Sequence, residues 1–305
     1  MAINTIEYAK IFQQKLDEQM IVGATSGWME ANAGQVKYNG GDEVKIPEIN
    51  MNGLGDYDRD NGFPQGSVSV SYATYKLTQD RGRTFLLDAM DVDESNFVAS
   101  AGNVMGEFQR TKVIPEVDSY RYSKIAALAS AAGNVTAGYT PSESDIYNKI
   151  KEDIAAIQDK VGDGEQLVIT MAIPVATILD NSSQISKKLD VTDFAQGNVN
   201  LKVKSIDGIP IIKVPSARMK SKYVINDGVT AGQEEGGIVP DTTAVDINWI
   251  ITVRRCPIAI SKTDKIRIFT PDVNQKADAW KLDYRKYHDL WIPKNKIDGV
   301  WVNTK

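Results

Sequence analysis

The sequence predicts an α+β chain with two segments that reach outward from a folded body. Apolar residues recur at helical spacing in some stretches and alternate in strand fashion in others, without the regular strand–helix–strand period of a parallel α/β sheet. The 305 residues, 42% hydrophobic and 25% charged, suffice for a sizeable core in one domain or two. Catalytic side chains are scarce, with one cysteine, Cys256, and one histidine, His288. A single cysteine excludes an internal disulfide, and one histidine leaves little room for His-based catalysis or zinc binding. The 23 Gly and 11 Pro are ordinary and exclude collagen-like or low-complexity classes. No apolar run approaches the roughly 18–20 residues of a membrane helix, and Met1 leads into mixed polar sequence unlike a signal peptide. The chain thus reads as soluble and as belonging to a reducing compartment.

In chain order, Ile6, Ala9, Phe12, Leu16 and Met20 form one helical stripe, with Asn4 or Thr5 as cap. A short terminal helix has little protein of its own to cover it, so the stripe docks either on its own domain or as an arm on a neighbour. Residues 36–77 read as a long hairpin. Val44 to Ile49 is one strand; in Ser67 to Leu77, Val68, Val70, Tyr72 and Thr74 alternate with Ser69, Ser71, Ala73 and Tyr75. The intervening Asn50–Gly66 is rich in Gly, Asn and Asp, which is turn chemistry. An isolated hairpin is marginal in water, so this one is expected to project and find its partner elsewhere.

A helix follows, capped by Asp91, Asp93 or Ser95, with Phe97, Ala101, Val104 and Phe108 on one face and Val98 and Met105 widening it. Pro115 is expected to kink or end it and to open a second helix through Ala132, stopped by Gly133. Thr140-Pro141-Ser142-Glu143 reads as a capping box for a helix whose face is Ile146, Ile150, Ile154, Ile157 and Val161, closed by Gly162 and Gly164. Next come a buried strand at Leu167–Ala172 and a short helix opened by Pro174 and running to Leu179. Val199–Val203 and Ile209–Val214 flank the tight-turn pair Asp207-Gly208. Late strands are Val245–Arg254, Pro257–Ser261 and Lys265–Phe269, with strand-like stretches in Trp280–Trp291 and Gly299–Val302. No internal repeat is present.

The stretches that resemble chemical motifs fall short. Asp56, Asp58 and Asp60 open like a calcium loop, but Asn61 stands where such a loop needs Gly and Ser67 where it needs a bidentate Glu. They read as a solvated hairpin tip. Cys256 precedes Pro257 at a strand break and reads as a buried structural thiol. His288, within Tyr287-His288-Asp289-Leu290-Trp291, reads as a half-buried, hydrogen-bonded imidazole. Gly232-Gln233-Glu234-Glu235-Gly236-Gly237 carries acid where a phosphate loop needs Lys and Ser or Thr. Asn134-Val-Thr136 and Asn181-Ser-Ser183 match glycosylation acceptors without a secretory signal. No carboxylate pair stands out as an acid–base couple. Catalytic, cofactor and metal residues are therefore assigned to none, and the pattern points to assembly rather than catalysis.

Order and motifs together resemble the tailed-bacteriophage major capsid proteins of the HK97 fold, over nearly the whole chain. Asp91-Val-Asp-Glu-Ser-Asn-Phe-Val-Ala-Ser-Ala-Gly-Asn-Val-Met-Gly-Glu-Phe108 is similar to the start of that family's spine helix, and Arg110-Thr-Lys-Val-Ile-Pro-Glu-Val-Asp118 continues it. Asp207-Gly-Ile-Pro-Ile-Ile-Lys-Val-Pro215 resembles the axial-domain hairpin. Tyr284-Arg-Lys-Tyr-His-Asp-Leu-Trp291, with Asn295-Lys-Ile-Asp-Gly-Val300, resembles the closing strands of the peripheral domain.

The resemblance implies an N-arm (1–35), an extended loop over a neighbouring subunit (36–83), a peripheral domain (84–130 and 262–305) and an axial domain (131–261). It implies hexamers and pentamers tiling an icosahedral shell around double-stranded DNA, a portal at one vertex, and a virion assembled in the host bacterial cytoplasm. A long N-terminal extension of the kind a maturation protease removes in some relatives is not seen, which implies a mature product or a separate scaffolding protein. Decoration proteins are open. Some relatives cross-link a loop Lys to a neighbour's Asn; Lys37 and Lys45 lie in that stretch, but no motif pairs either, and none is assigned.

On this reading Phe12, Leu16, Met20, Val68, Val70, Tyr72 and Tyr75 are the interface residues. Residues 1–100 hold 8 Lys+Arg against 15 Asp+Glu, and residues 251–305 hold 12 against 6, so oppositely charged faces of adjacent subunits are expected to meet. With a net charge of −5 and no basic block, the chain is expected to enclose DNA without sequence-specific binding. The alternative in the same architecture is an encapsulin-like bacterial nanocompartment; an α+β carboxylate enzyme and a host-surface-binding phage protein are the readings from other classes.

Overall fold

A computed structural model describes residues 23–38, 41–60, 62–88, 90, 100–182, 189–196, 199–274 and 276–305. The helical stripe with Phe12, Leu16 and Met20, the caps Asp91, Asp93 and Ser95, and Phe97 and Val98 lie outside the described residues.

Three sheets carry most of the chain. The first is the hairpin sheet, β1 (Lys37–Tyr38), β2 (Glu43–Met51) and β3 (Val68–Lys76), in the order β1-β2-β3. Its long strands pair antiparallel from Glu43↔Lys76 to Met51↔Val68, as the alternation predicts. Because β1 reaches only Lys45, the outer edge of β2 has no partner strand beyond that residue among the described residues and accommodates Pro47, which has no N–H to give a ladder.

β4 (Gln79–Asp88) follows directly and joins the second sheet, in the order β13-β14-β4, with β13 (Ile258–Phe269) and β14 (Ala279–Trp291). The two late strands expected at Pro257–Ser261 and Lys265–Phe269 are one strand, with a register shift between Ser261 and Thr263 that leaves Lys262 as the extra residue of a bulge.

Over this sheet lies a helical run of α1 (Ser100–Phe108), a π-helical turn (Gln109–Val113) and α2 (Ile114–Ala131). Pro115 neither ends nor breaks it. The wider turn, in which Ile114 N–H reaches Gln109 O, takes up the ring that would strike a carbonyl in a regular α-helix. Thr111 Oγ1 also donates to Glu107 O at 2.7 Å. Met105, Val113, Ile114 and Val117 pack with Leu282, Tyr284 and Ala24, and partly buried Phe85, Leu87, Val104 and Phe108 close this core. The other end of α2 brings Tyr122, Ile125, Ala126 and Ala129 into a second, larger core. One helix therefore spans both cores.

The larger core surrounds a seven-stranded sheet. In chain order its strands are β5 (Val135–Thr136), β6 (Leu167–Ala172), β7 (Leu189–Gln196), β8 (Val199–Ile206), β9 (Ile209–Val214), β12 (Ile247–Val253) and β15 (Val300–Thr304), arranged β5-β15-β12-β6-β9-β8-β7. β6 and β12 are buried throughout, which explains their unbroken apolar runs. Asp207 (φ 51°) and Gly208 (φ 79°) form the predicted tight turn, left-handed at both positions. β15, grouped by the sequence with the peripheral segment, pairs with β12 here. β4 likewise runs unbroken across the boundary expected at residue 83.

α3 (Ile146–Val161) buries Ile146, Ile150, Ile154 and Ile157 as predicted, and Gly162 (φ 88°) closes it with its N–H on Gln158 O. The expected capping box does not form. The helix begins at Ile146, the first residue that reaches the core, and residues 140–145 stay largely outside as a turn in which Ser142 Oγ and Tyr139 OH bond Asp145. α4 (Ile173–Asn181) opens with Pro174 in its first turn and packs on β6 and β9. Between β9 and β12 a two-stranded ribbon, β10 (Tyr223–Ile225) and β11 (Ile238–Pro240), leaves the sheet.

Candidate assembly surface

Directly opposed residues of an antiparallel pair point to the same side. Pro47, Ile49 and Met51 therefore share one face with Tyr72, Val70 and Val68. Ile49, Met51, Val68, Val70 and Tyr72 are each half or more exposed, and Leu54, Tyr57 and Phe63 continue the apolar surface at the tip, where the Tyr57 and Phe63 rings lie 4.9 Å apart. Among the described residues β3 pairs on one side only, leaving a second edge open. An apolar strip beside an unpaired strand edge is a surface shaped for another chain.

The opposite face behaves differently. Val44 and Ile46 are buried at the hairpin base with Leu77, Ile258, Ile260 and Trp291, and the partly buried Tyr75 lies 5.9 Å from the Trp291 ring. Tyr75, expected at the interface with Tyr72, is thus part of the chain's own packing, because it sits three residues away, an odd step that puts it on the other side of the strand. Ile49, Met51, Leu54 and Phe63 join the strip instead. Their signal was the alternation in residues 45–51, which gains meaning only once its pairing with β3 is known.

Two buried carboxylates fix what surrounds the hairpin. Asp289 accepts Thr78 N–H (3.0 Å), Thr78 Oγ1 (2.8 Å) and Tyr120 OH (2.7 Å), and pairs with Lys124, tying the chain just past β3 to α2. Asp118 accepts the backbone N–H and the hydroxyl of both Thr25 and Ser26 and pairs with Arg218 at 3.0 Å. Trp28 and Met29 then enter the larger core, Trp28 edge-on to Phe194 at 6.2 Å. Residues 24–30, inside the segment expected to be an arm, therefore hold to their own subunit.

Some of the charges expected to meet between subunits also pair within the chain. Asp80 pairs with Arg285 at 2.5 Å, Asp42 with Lys262 at 3.4 Å, and Glu30 lies with Arg121 and near Lys286. Asp80 and Arg285 meet across β4 and β14, Lys262 of β13 meets Asp42 just before β2, and Glu30 meets Arg121 of α2.

The chemical candidates have structural roles. Burial pushes the Cys256 thiol up to about 11, the reverse of what a nucleophile needs. Asp58 accepts the Asp60 N–H at 2.9 Å as a local turn, and among the described residues no group of three or more His, Cys, Asp or Glu is placed to hold a metal.

His288 is fully buried rather than half-buried. Among the described residues its Nδ1 has no hydrogen-bond partner, and its ring meets Tyr120 edge-on at 5.7 Å. Burial, together with Arg121, Lys286, Lys124 and Arg81, holds it well below its ordinary value. The folded chain keeps the imidazole neutral while the unfolded chain takes up a proton below about pH 6.5, so this contribution is complete above that pH and lost as pH falls. Denaturation series from pH 7.5 to 5 are expected to lose up to about 1.4 kcal/mol per pH unit. His288→Phe is expected to flatten that slope; persistence of the full slope would place its origin elsewhere. Glu30, raised by burial but held low on balance by Arg121 and Lys286, stabilises the folded chain at neutral pH and loses that contribution only at more acid pH than His288 does.

No protein-family model and no curated protein matches the chain. Among solved structures, it is similar to the mature capsid of bacteriophage PhiM1 (TM-score 0.57, 11% identity, 87% of this chain and 82% of that one). It is also similar to the capsid of cyanophage P-SCSP1u (0.54, 10%, 87% and 83%). A virus-like particle from Pyrococcus furiosus matches over 97% of this chain and 99% of its own, at TM-score 0.53 and 10% identity. The helix spanning two cores, the projecting hairpin and the two larger sheets thus form the fold of phage capsid structures. That fold is the HK97-like one which the sequence motifs resemble.

Proposed function

We propose that this chain is a structural major capsid protein that assembles as hexamers and pentamers into an icosahedral shell enclosing double-stranded phage DNA. The observation that carries this reading is the hairpin strip Ile49, Met51, Val68, Val70 and Tyr72, exposed on a subunit with a capsid fold. Each apolar side chain of that size contributes about 1.5–3 kcal/mol when fully buried, so a neighbour covering the strip gains substantially. Closure of a symmetric shell then multiplies contacts that are modest one by one.

Residues 1–22 would extend this clasp as an arm through Phe12, Leu16 and Met20. The domain division expected from sequence is retained with two shifts that the pairing supports: β4 goes whole to the peripheral domain and β15 to the axial domain. A net charge of −5 suits a lining that does not grip DNA. A portal at one vertex, a scaffolding or decoration partner, a place in the virion and assembly in the host cytoplasm belong to the same reading.

Electron microscopy of the purified protein tests it, with closed shells or capsomer rings as the expected result. A monodisperse monomer under all assembly conditions would refute it. Nuclease-protected DNA in particles isolated from cells is expected; protein cargo in its place would mark a nanocompartment.

A further inference from the structure

The ribbon formed by β10 and β11 is rooted between Met219 and Ile247, both buried in the larger core. Its loop, 226–237, does not hang free. Asp227 accepts the N–H groups of Val229 (2.9 Å) and Thr230 (2.8 Å) and the Thr230 hydroxyl. Gln233 N–H reaches Thr230 O, Gly236 N–H reaches Gln233 O, and Gly232 N–H reaches the Glu234 carboxylate. Gly228, Gly232, Gly236 and Gly237 all have positive φ, so the loop is set as a hook.

Three of its carbonyls reach arginines on β4. Arg81 donates to Asn226 O (2.8 Å) and Gly237 O (3.3 Å) while its Nε holds Glu116 of α2 at 2.7 Å. Arg83 donates to Glu234 O at 3.2 Å and passes so close to Gly228 that a Cβ there would lie 3.1 Å from its Nη1. One guanidinium thereby joins three elements: the ribbon from the large core, the helix spanning both cores, and the strand that continues from the hairpin. Arginine suits this because its planar fork presents fixed donors in several directions, whereas lysine offers one point of charge.

We propose that the 226–237 loop is a strap which, through Arg81 and Arg83, couples the seven-stranded lobe to the base of the projecting hairpin and holds that hairpin at a defined angle. The coupling is a property of the single subunit. Its effect on shell uniformity rests on the function proposed above, and the first measurement does not.

Amide hydrogen exchange of the free subunit tests it. In Arg81→Lys, exchange at 224–238 and at the hairpin base (43–46 and 75–78) is expected to quicken about tenfold or more, with 120–131 of α2 within about twofold of the parent chain. Ribbon exchange within about twofold would show that the loop holds itself, and a faster ribbon with an unchanged hairpin base would show that nothing is coupled; either overturns the proposal. Replacing 229–235 by an equally long Gly/Ser stretch leaves β4 and α2 intact and is expected to loosen the hairpin base as well. Should Arg81→Lys fail to fold, this second variant decides alone. If shells form, both variants are expected to broaden the particle size distribution seen by microscopy, while a loosened hairpin base without shells would fault the function and leave the strap standing.

Discussion

Asp118→Ala is expected to destabilise the subunit by about 3–5 kcal/mol, because it removes the fully buried member of an ion pair whose partner, Arg218, is mostly buried. Four donors from Thr25 and Ser26 lose their acceptor at once, and Arg218 loses its counter-charge. Against the roughly 5–15 kcal/mol of a typical domain, that is at least about a fifth of the total. Single Thr25→Ala or Ser26→Ala changes remove one hydroxyl each and are expected to cost about 1 kcal/mol. Guanidinium denaturation of all three variants checks the ranking. If Asp118→Ala proved no worse than Ser26→Ala, the carboxylate would not be the anchor of residues 24–30. Since Trp28 and Met29 follow directly, loosening this anchor is expected to expose them and raise the fluorescence quenching of Trp28 by solvent.

The double change Val70→Asp with Tyr72→Asp is expected to act in the opposite way, leaving the subunit folded and abolishing shells. Both side chains are at least half exposed on the outer hairpin face, so the melting transition should stay within about 0.5 kcal/mol of the parent. In an assembled contact the same two positions would bury a carboxylate each against apolar surface, which costs several kcal/mol per site. Repeated around a closed lattice, that penalty outweighs what the remaining contacts supply. Size-exclusion chromatography and microscopy read the outcome, and normal shells from this variant would remove the hairpin strip from the interface. Tyr75→Ala is the contrasting control: its ring packs on Trp291, so it is expected to lower subunit stability first.

These contrasts mirror how far sequence pattern reaches. The face of α3 from Ile146 to Ile157, the strand at Leu167–Ala172, the Asp207-Gly208 turn and the hairpin at 43–76 are all legible, because each depends on neighbours a few residues apart. β4 was missed: its Arg81 and Arg83 break any apolar alternation, and its pairing partners lie in Ala279–His288, nearly 200 positions on. The Thr140–Glu143 motif misled for the converse reason, since a good local cap cannot start a helix before the chain reaches its core. Asp118 left no signal at all, because its partners at Thr25, Ser26 and Arg218 come together only in the folded chain.

Sequence alone determined the mixed class, most element positions, the scarcity of catalytic groups and the existence of a projecting hairpin. Tertiary structure alone decided which hairpin face is left for a partner, which charges cancel within the subunit, and how residues 24–30 are held. The division follows from range: periodicity and turn chemistry act over a few residues, whereas the facing of a strand and the pairing of a buried charge are set by segments that meet only after folding.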